Sequence, residues 1–184
     1  MSAPATMRSL PPVGEGPMRL RSTSMLGLRY ELRVGAELAG VLQGSFWGGS
    51  PTVLQTAQGT FRLFPSAGWS HAEVRLDGAQ GWIARLRIPW FGSAEIQLAD
   101  GRVLHQKDLG RMGSRWAWLD EQGGVVCSFD GGLMARSTTL EEGPSSRTLD
   151  LGQQTAVLLL GVWLIQLRRS LAETAVASVG AVLL

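Results

Sequence analysis

Two histidines, one cysteine and sixteen arginines are the residues from which this chain would have to build chemistry. His71 and His105 stand far apart in sequence, and Cys127 is alone, so no metal-ligand spacing is present. No G-x-S-x-G, P-loop or G-x-G-x-x-G pattern occurs. A lone histidine without clustered partners is expected to be a satisfied structural residue. The sequence therefore predicts no catalytic residue, no metal and no cofactor. Arginine remains. In 82–88, Trp82, Ala84, Leu86 and Ile88 are expected to share one face of a strand, and Arg85 and Arg87 the other, because strand side chains alternate. Two guanidiniums on one outward face can grip a phosphate through paired N–H donors. Arg75, and Arg111 and Arg115 of the basic loop 111–115, are the residues expected to join them. Arg19 with Arg21 and Arg29 with Arg33 have comparable spacing, and a solvated exterior in an arginine-rich chain accounts for all of these pairs.

The charge balance sets the partner class. Seventeen basic and 15 acidic residues leave a formal charge of +2, too little to argue for nucleic acid. Sixteen of the 17 basic residues are arginine, and the chain has no asparagine, a bias expected of a GC-rich coding sequence. Arginine abundance alone is thus no functional signal. A single cysteine cannot form an internal disulfide, which fits a reducing compartment and predicts a cytoplasmic protein. Residues 1–17 contain four prolines and no apolar h-region, so they read as a disordered segment and not as a secretory signal. Met18 reads as a candidate alternative translation start.

These side chains need elements to position them. From 25 to 150, short alternating runs are separated by glycine-containing turns every 8 to 12 residues, the pattern of an all-β barrel or sandwich. Strands are expected near 28–34, 38–43, 52–57, 60–64, 73–76, 82–88, 95–98, 102–107, 116–119 and 125–129. Asp77-Gly78 and Asp100-Gly101 are strong hairpin signals. About 125 residues at about five or six per strand make roughly 10 to 12 strands.

The helix expected at 153–169 is different in kind. From Ala156 to Ile165 every residue is apolar or glycine. An apolar surface all round requires enclosure by protein or lipid. The run 155–167 spans roughly 20 Å, short of a bilayer core of about 30 Å, so a buried helix is favoured. A barrel of about twelve strands leaves a lumen, and a helix about 10 Å across would plug it. The expectation is a mainly β domain over 18–169: a closed antiparallel β-barrel of about 12 strands around a central, C-terminal apolar α-helix. The tail 170–184 reads as weakly helical or disordered.

A long meander followed by an all-apolar C-terminal helix resembles the tubby C-terminal-like domain superfamily, which includes tubby proteins, phospholipid scramblases and LURP-one-related proteins. The resemblance rests on the opening hairpin 30–43, the hairpin WAWLDEQGGVV (116–126) and the helix AVLLLGVWLIQLRR (156–169). It is one of architecture and covers about 19–169. It implies a bacterial-type, non-enzymatic, lipid-associated module, with a basic strand pair facing a phosphorylated headgroup. The acidic calcium segment of scramblases has no counterpart here beyond Glu141 and Glu142. The reading is a cytoplasmic, peripherally membrane-associated protein binding anionic phospholipid or another phosphorylated ligand through Arg75, Arg85, Arg87, Arg111 and Arg115. The alternatives are a structural or protein-interaction module without small ligand, and a membrane protein anchored by the C-terminal helix.

Overall fold

The computed structural model describes residues 17–23, 29–44, 51–66, 68–110, 115–131 and 137–182, with helix side chains to Leu171. Alternation of apolar and polar residues drives twelve strands: β1 (Met18–Ser22), β2 (Arg29–Val34), β3 (Glu37–Gln43), β4 (Thr52–Thr56), β5 (Gly59–Pro65), β6 (His71–Leu76), β7 (Ala84–Arg87), β8 (Glu95–Leu98), β9 (Val103–Asp108), β10 (Arg115–Leu119), β11 (Val125–Asp130) and β12 (Ser137–Glu142). Each pairs antiparallel with its neighbour in sequence, and β1 pairs with β12 to close the barrel. Closure leaves no exposed sheet edge. The strands β1 and β12 were not among the expected ones. In β1, Met18 and Leu20 point inward between Arg19 and Arg21, and Leu20 lies opposite Thr138.

The helix α1 (Leu151–Val182) follows a 3-10 turn at Pro144–Thr148. Its start is fixed by a reciprocal cap. The Gln153 backbone N–H donates to Asp150 Oδ1 at 2.8 Å, and the Asp150 N–H donates to Gln153 Oε1 at 3.0 Å. Gln153 Nε2 also donates to Asp100 Oδ2 at 2.7 Å, and Arg102 donates to Gln153 Oε1. The cap is thereby tied to the β8–β9 turn. The Arg102 guanidinium beside Asp100 outweighs partial burial and holds its carboxyl down at about 2.

Ala156 to Ile165, apart from Gly161, are buried apolar residues, as is Leu167. They meet an inner wall that includes Leu20, Leu32, Leu63, Val74, Leu86, Ile96, Trp118 and Phe129. The helix lies nearest β5, β6 and β7, where the small Ala72 and Ala84 keep the wall thin. On another side, a void of about 10 Å³ is lined by leucines and Val162. It has no polar partners to offer a water. Helix side chains therefore fill this part of the lumen. The expected barrel and central helix are both present.

The helix differs from expectation in length. It begins at Leu151 and continues without a break to Val182. Its 32 residues give about 48 Å, while strands of four to seven residues give about 13–23 Å. Burial ends at Leu167, and Leu171 is exposed, so the helix leaves the barrel near Arg168. No helix among the described residues is long and apolar enough to cross a membrane. Outward positions at mid-strand carry charge, as with Arg19, Glu31, Glu73 and Arg85. That is the reverse of the apolar lipid-facing band of a transmembrane barrel. The expected disordered segment 1–17 lies outside the described residues, except Pro17.

The two ends of the barrel are unlike. At one end, where α1 begins, the strands are joined by tight turns such as 35–36, 57–58 and 99–102. At the other, where α1 leaves, lie the connections 66–70 and 88–94, neither of them a two-residue turn.

Candidate anionic-ligand face

The outer surface of β6 and β7 brings three of the five singled-out arginines together. Glu73 and Arg85 are cross-strand partners, as are His71 and Arg87. Arg75 lies two residues along β6 from Glu73, on the same outward face. Arg75 Nε donates to Glu73 Oε1 at 2.6 Å, and Arg85 Nε donates to Glu73 Oε2 at 3.0 Å. One carboxylate thus holds two guanidiniums. Glu73 is the least exposed of the three, at 20%, against 54% for Arg75 and 48% for Arg85. Partial burial pushes the Glu73 carboxyl up, but hydrogen bonds from Arg75 and Arg85 outweigh this, and it sits below its ordinary range. It is therefore charged near neutrality. Arg87 is exposed, and among the described residues it makes no ion pair. Glu95 on β8 is the cross-strand partner of Arg87, so three guanidiniums against two carboxylates leave a local excess of one positive charge on this face.

Aromatic rings fix the direction of two of these cations. The Arg85 guanidinium lies 4.3 Å from the Trp82 ring centroid, and that of Arg75 lies 5.5 Å from Phe64. This corrects the expectation that Trp82 shares the apolar inner face with Ala84. The strand starts at Ala84, after Gly78 and Gly81, both at positive φ. These break the alternation, so Ile83 packs against the core while Trp82 stands under Arg85. From Ala84 to Arg87 the strict inward–outward alternation holds as expected.

A cleft of about 430 Å³ opens beside this cluster, lined by Phe64, Pro65, Ser66, His71, Glu73 and Arg85 among others. Ser70 Oγ lies 2.9 Å from His71 Nδ1. These are sequence neighbours at an exposed strand start, and among the described residues no carboxylate orients the ring: Glu73 is committed to the two arginines. The pair lacks the third group that activates a nucleophile–base couple. His105 lies on the outer face, 3.4 Å from Glu95. Cys127 is buried, and desolvation pushes its thiol up, which suppresses the reactive thiolate. No cluster of three metal-ligating side chains occurs among the described residues.

Arg115 is placed elsewhere. It opens β10, three strands from β7, and its guanidinium lies 3.9 Å from Glu141. Arg111 lies outside the described residues. Arg19 and Arg33 are also on other strands, and Arg33 is paired with Glu31. Spacing along the chain could not distinguish these arginines, because it does not report which strands are neighbours. The residue of this face that sequence reasoning missed is Glu73. Its signal was the alternation of Glu73 and Arg75 on a strand followed by a hairpin that returns Arg85 opposite.

Comparison with protein-family models, curated proteins and solved structures finds no match to this chain.

Proposed function

We propose that this protein is a non-enzymatic, tubby-like module of the cytoplasm that binds anionic lipid, or another phosphorylated ligand, through the outer face of β6 and β7. The observation that supports it is the convergence of Arg75 and Arg85 on Glu73 with Arg87 beside them. Guanidinium forks already oriented by one carboxylate and two aromatic rings lose little freedom on meeting a phosphate. The wall behind them is the one against which the helix rests, so the cluster sits on a rigid support. A barrel fold alone does not assign a function; the charged cluster carries the reading.

The energetics of the face set the expected behaviour. Each basic residue near an anionic membrane contributes about 1 kcal/mol, and the attraction falls off within a Debye length. Arg85 and Arg87 together contribute about 2 kcal/mol, or roughly 30-fold in affinity. Wild-type protein is expected to sediment with phosphoinositide-containing vesicles at low salt and to be released at physiological salt. The double variant Arg85→Ala/Arg87→Ala is expected to lose most of this binding while keeping its melting temperature. Wild-type protein left in the supernatant at low salt would sink the lipid reading in favour of a protein-interaction module.

A further inference from the structure

Six large hydrophobic side chains are exposed among the described residues: Phe64, Trp90, Phe91, Leu109, Leu151 and Leu171. Five lie at the end where the helix leaves the barrel; only Leu151 is at the other. Phe64 is near the end of β5, Leu109 directly follows β9, and Leu171 is on the emerging helix. Trp90 and Phe91 stand out, at 96% and 95% exposure. They form the tip of the loop joining β7 to β8. The loop is anchored at both ends. The Ile88 N–H donates to Ser70 O at 2.7 Å, and Ile88 packs against the core. Ala94 is buried, and its carbonyl accepts from the Gln106 N–H at 2.9 Å. Pro89 and Gly92, the latter at a φ of 102°, shape the turn between.

The position of this tip gives it a partner. Arg85 and Arg87 are successive outward residues of β7, about 6.6 Å apart along the strand, and lead straight to it. An apolar aromatic point next to a cationic stripe is complementary to the two layers of an anionic membrane surface. Tryptophan favours the headgroup level, and phenylalanine the acyl boundary below it. A protein partner would be expected to offer the aromatics a concave pocket; a bilayer receives a convex tip without one. We infer that Trp90 and Phe91 form a wedge that inserts into the interfacial layer of an anionic membrane. The inference rests on the lipid reading of the β6–β7 face and adds to it the apolar contribution that the arginines lack. Two weak signals together, one electrostatic and one apolar, are what stable peripheral attachment requires.

The test uses the full chain, with vesicles of phosphatidylcholine alone or mixed with phosphatidylserine, and acyl chains brominated to quench tryptophan. With the anionic vesicles, emission is expected to shift to the blue and be quenched, and Trp90→Phe should remove most of the quenching while still sedimenting. Burying a phenylalanine side chain contributes at least the 1.4 kcal/mol of a tenfold affinity change. Trp90→Ala/Phe91→Ala should therefore weaken binding about tenfold or more at unchanged melting temperature. If wild type and this double variant sediment equally and no quenching occurs, the wedge is overturned while the arginine face stands. Insertion that persists in Arg85→Ala/Arg87→Ala with undiminished affinity would uphold the wedge and overturn the arginine face. Failure of wild type to sediment overturns both. So does loss of self-association in the double variant without any vesicle binding, which assigns the tip to a protein contact.

Discussion

A chain ended at Gly152 will not fold to a soluble, sharply melting monomer. The deletion removes nine buried apolar residues larger than alanine, from Val157 to Leu167. At about 1.5–3 kcal/mol each, their burial is worth on the order of 20 kcal/mol. That exceeds the 5–15 kcal/mol by which domains are usually stable. It also removes Gln153, leaving Asp100 and Arg102 without the side chain that binds both. A twelve-stranded barrel cannot replace this by collapse, because closure holds its diameter. Its inward leucines would face water across an open lumen. Circular dichroism and gel filtration check the expectation: aggregation or a broad, non-cooperative transition is predicted. A truncated monomer melting cooperatively would mean that the barrel is stable without its helix.

The second large effect has a counter-intuitive sign. Glycine inside a helix normally costs about 1 kcal/mol relative to alanine, so Gly161→Ala on a free helix would be stabilising. Here it will destabilise. A Cβ on Gly161 would stand 2.1 Å from Cζ of Phe129, with two more ring carbons within 3 Å. The ring has no room to retreat. It is stacked on Trp116 at 4.2 Å and an interplanar angle of 11°, and Trp116 in turn meets Trp118 edge to face at 5.3 Å. Overpacking of this kind costs about 1–3 kcal/mol and more where the neighbours are rigid. A loss of about 3 kcal/mol is expected, or roughly 6–12 °C in melting temperature. Phe129→Ala alone will cost about 3–5 kcal/mol through the cavity it leaves. Adding Gly161→Ala to Phe129→Ala is expected to stabilise. That reversal separates a specific clash from an intrinsic helix effect; a stabilising Gly161→Ala in the wild-type background would contradict the packing.

The sequence carried the architecture because it carried two periods. Alternation marked most of the strands, and ten residues from Ala156 to Ile165 that were all apolar or glycine marked a helix needing full enclosure. What it did not carry was pairing between distant segments. The closing strands β1 and β12 lie far apart in the chain, and Leu20 meets Thr138 only because the barrel brings its two ends together. The same blindness grouped Arg115 with Arg85, although three strand spacings separate them. Trp82 was placed on the inner face because alternation was carried back to it, two residues before the strand begins at Ala84. Gly161 stands in the apolar run without any local mark; that it is a slot for a ring on β11 is a property of the packed lumen. The Asp150–Gln153 cap was present as a spacing, but its tie to Asp100 is again long-range. Of the candidate site, the outward Arg85 and Arg87 were readable from alternation, while Glu73 as the shared partner of Arg75 and Arg85 and the exposure of Trp90 and Phe91 required the fold.

Hydrogen–deuterium exchange of the full chain, with and without anionic vesicles at low salt, tests most directly the claim that one face and one end of this barrel meet a membrane. Slowed exchange is predicted in β6, β7 and the loop 88–94, with no change at the turns 99–102 and 120–124 of the opposite end. Slowing confined to β10–β12 or to those opposite turns would contradict the account.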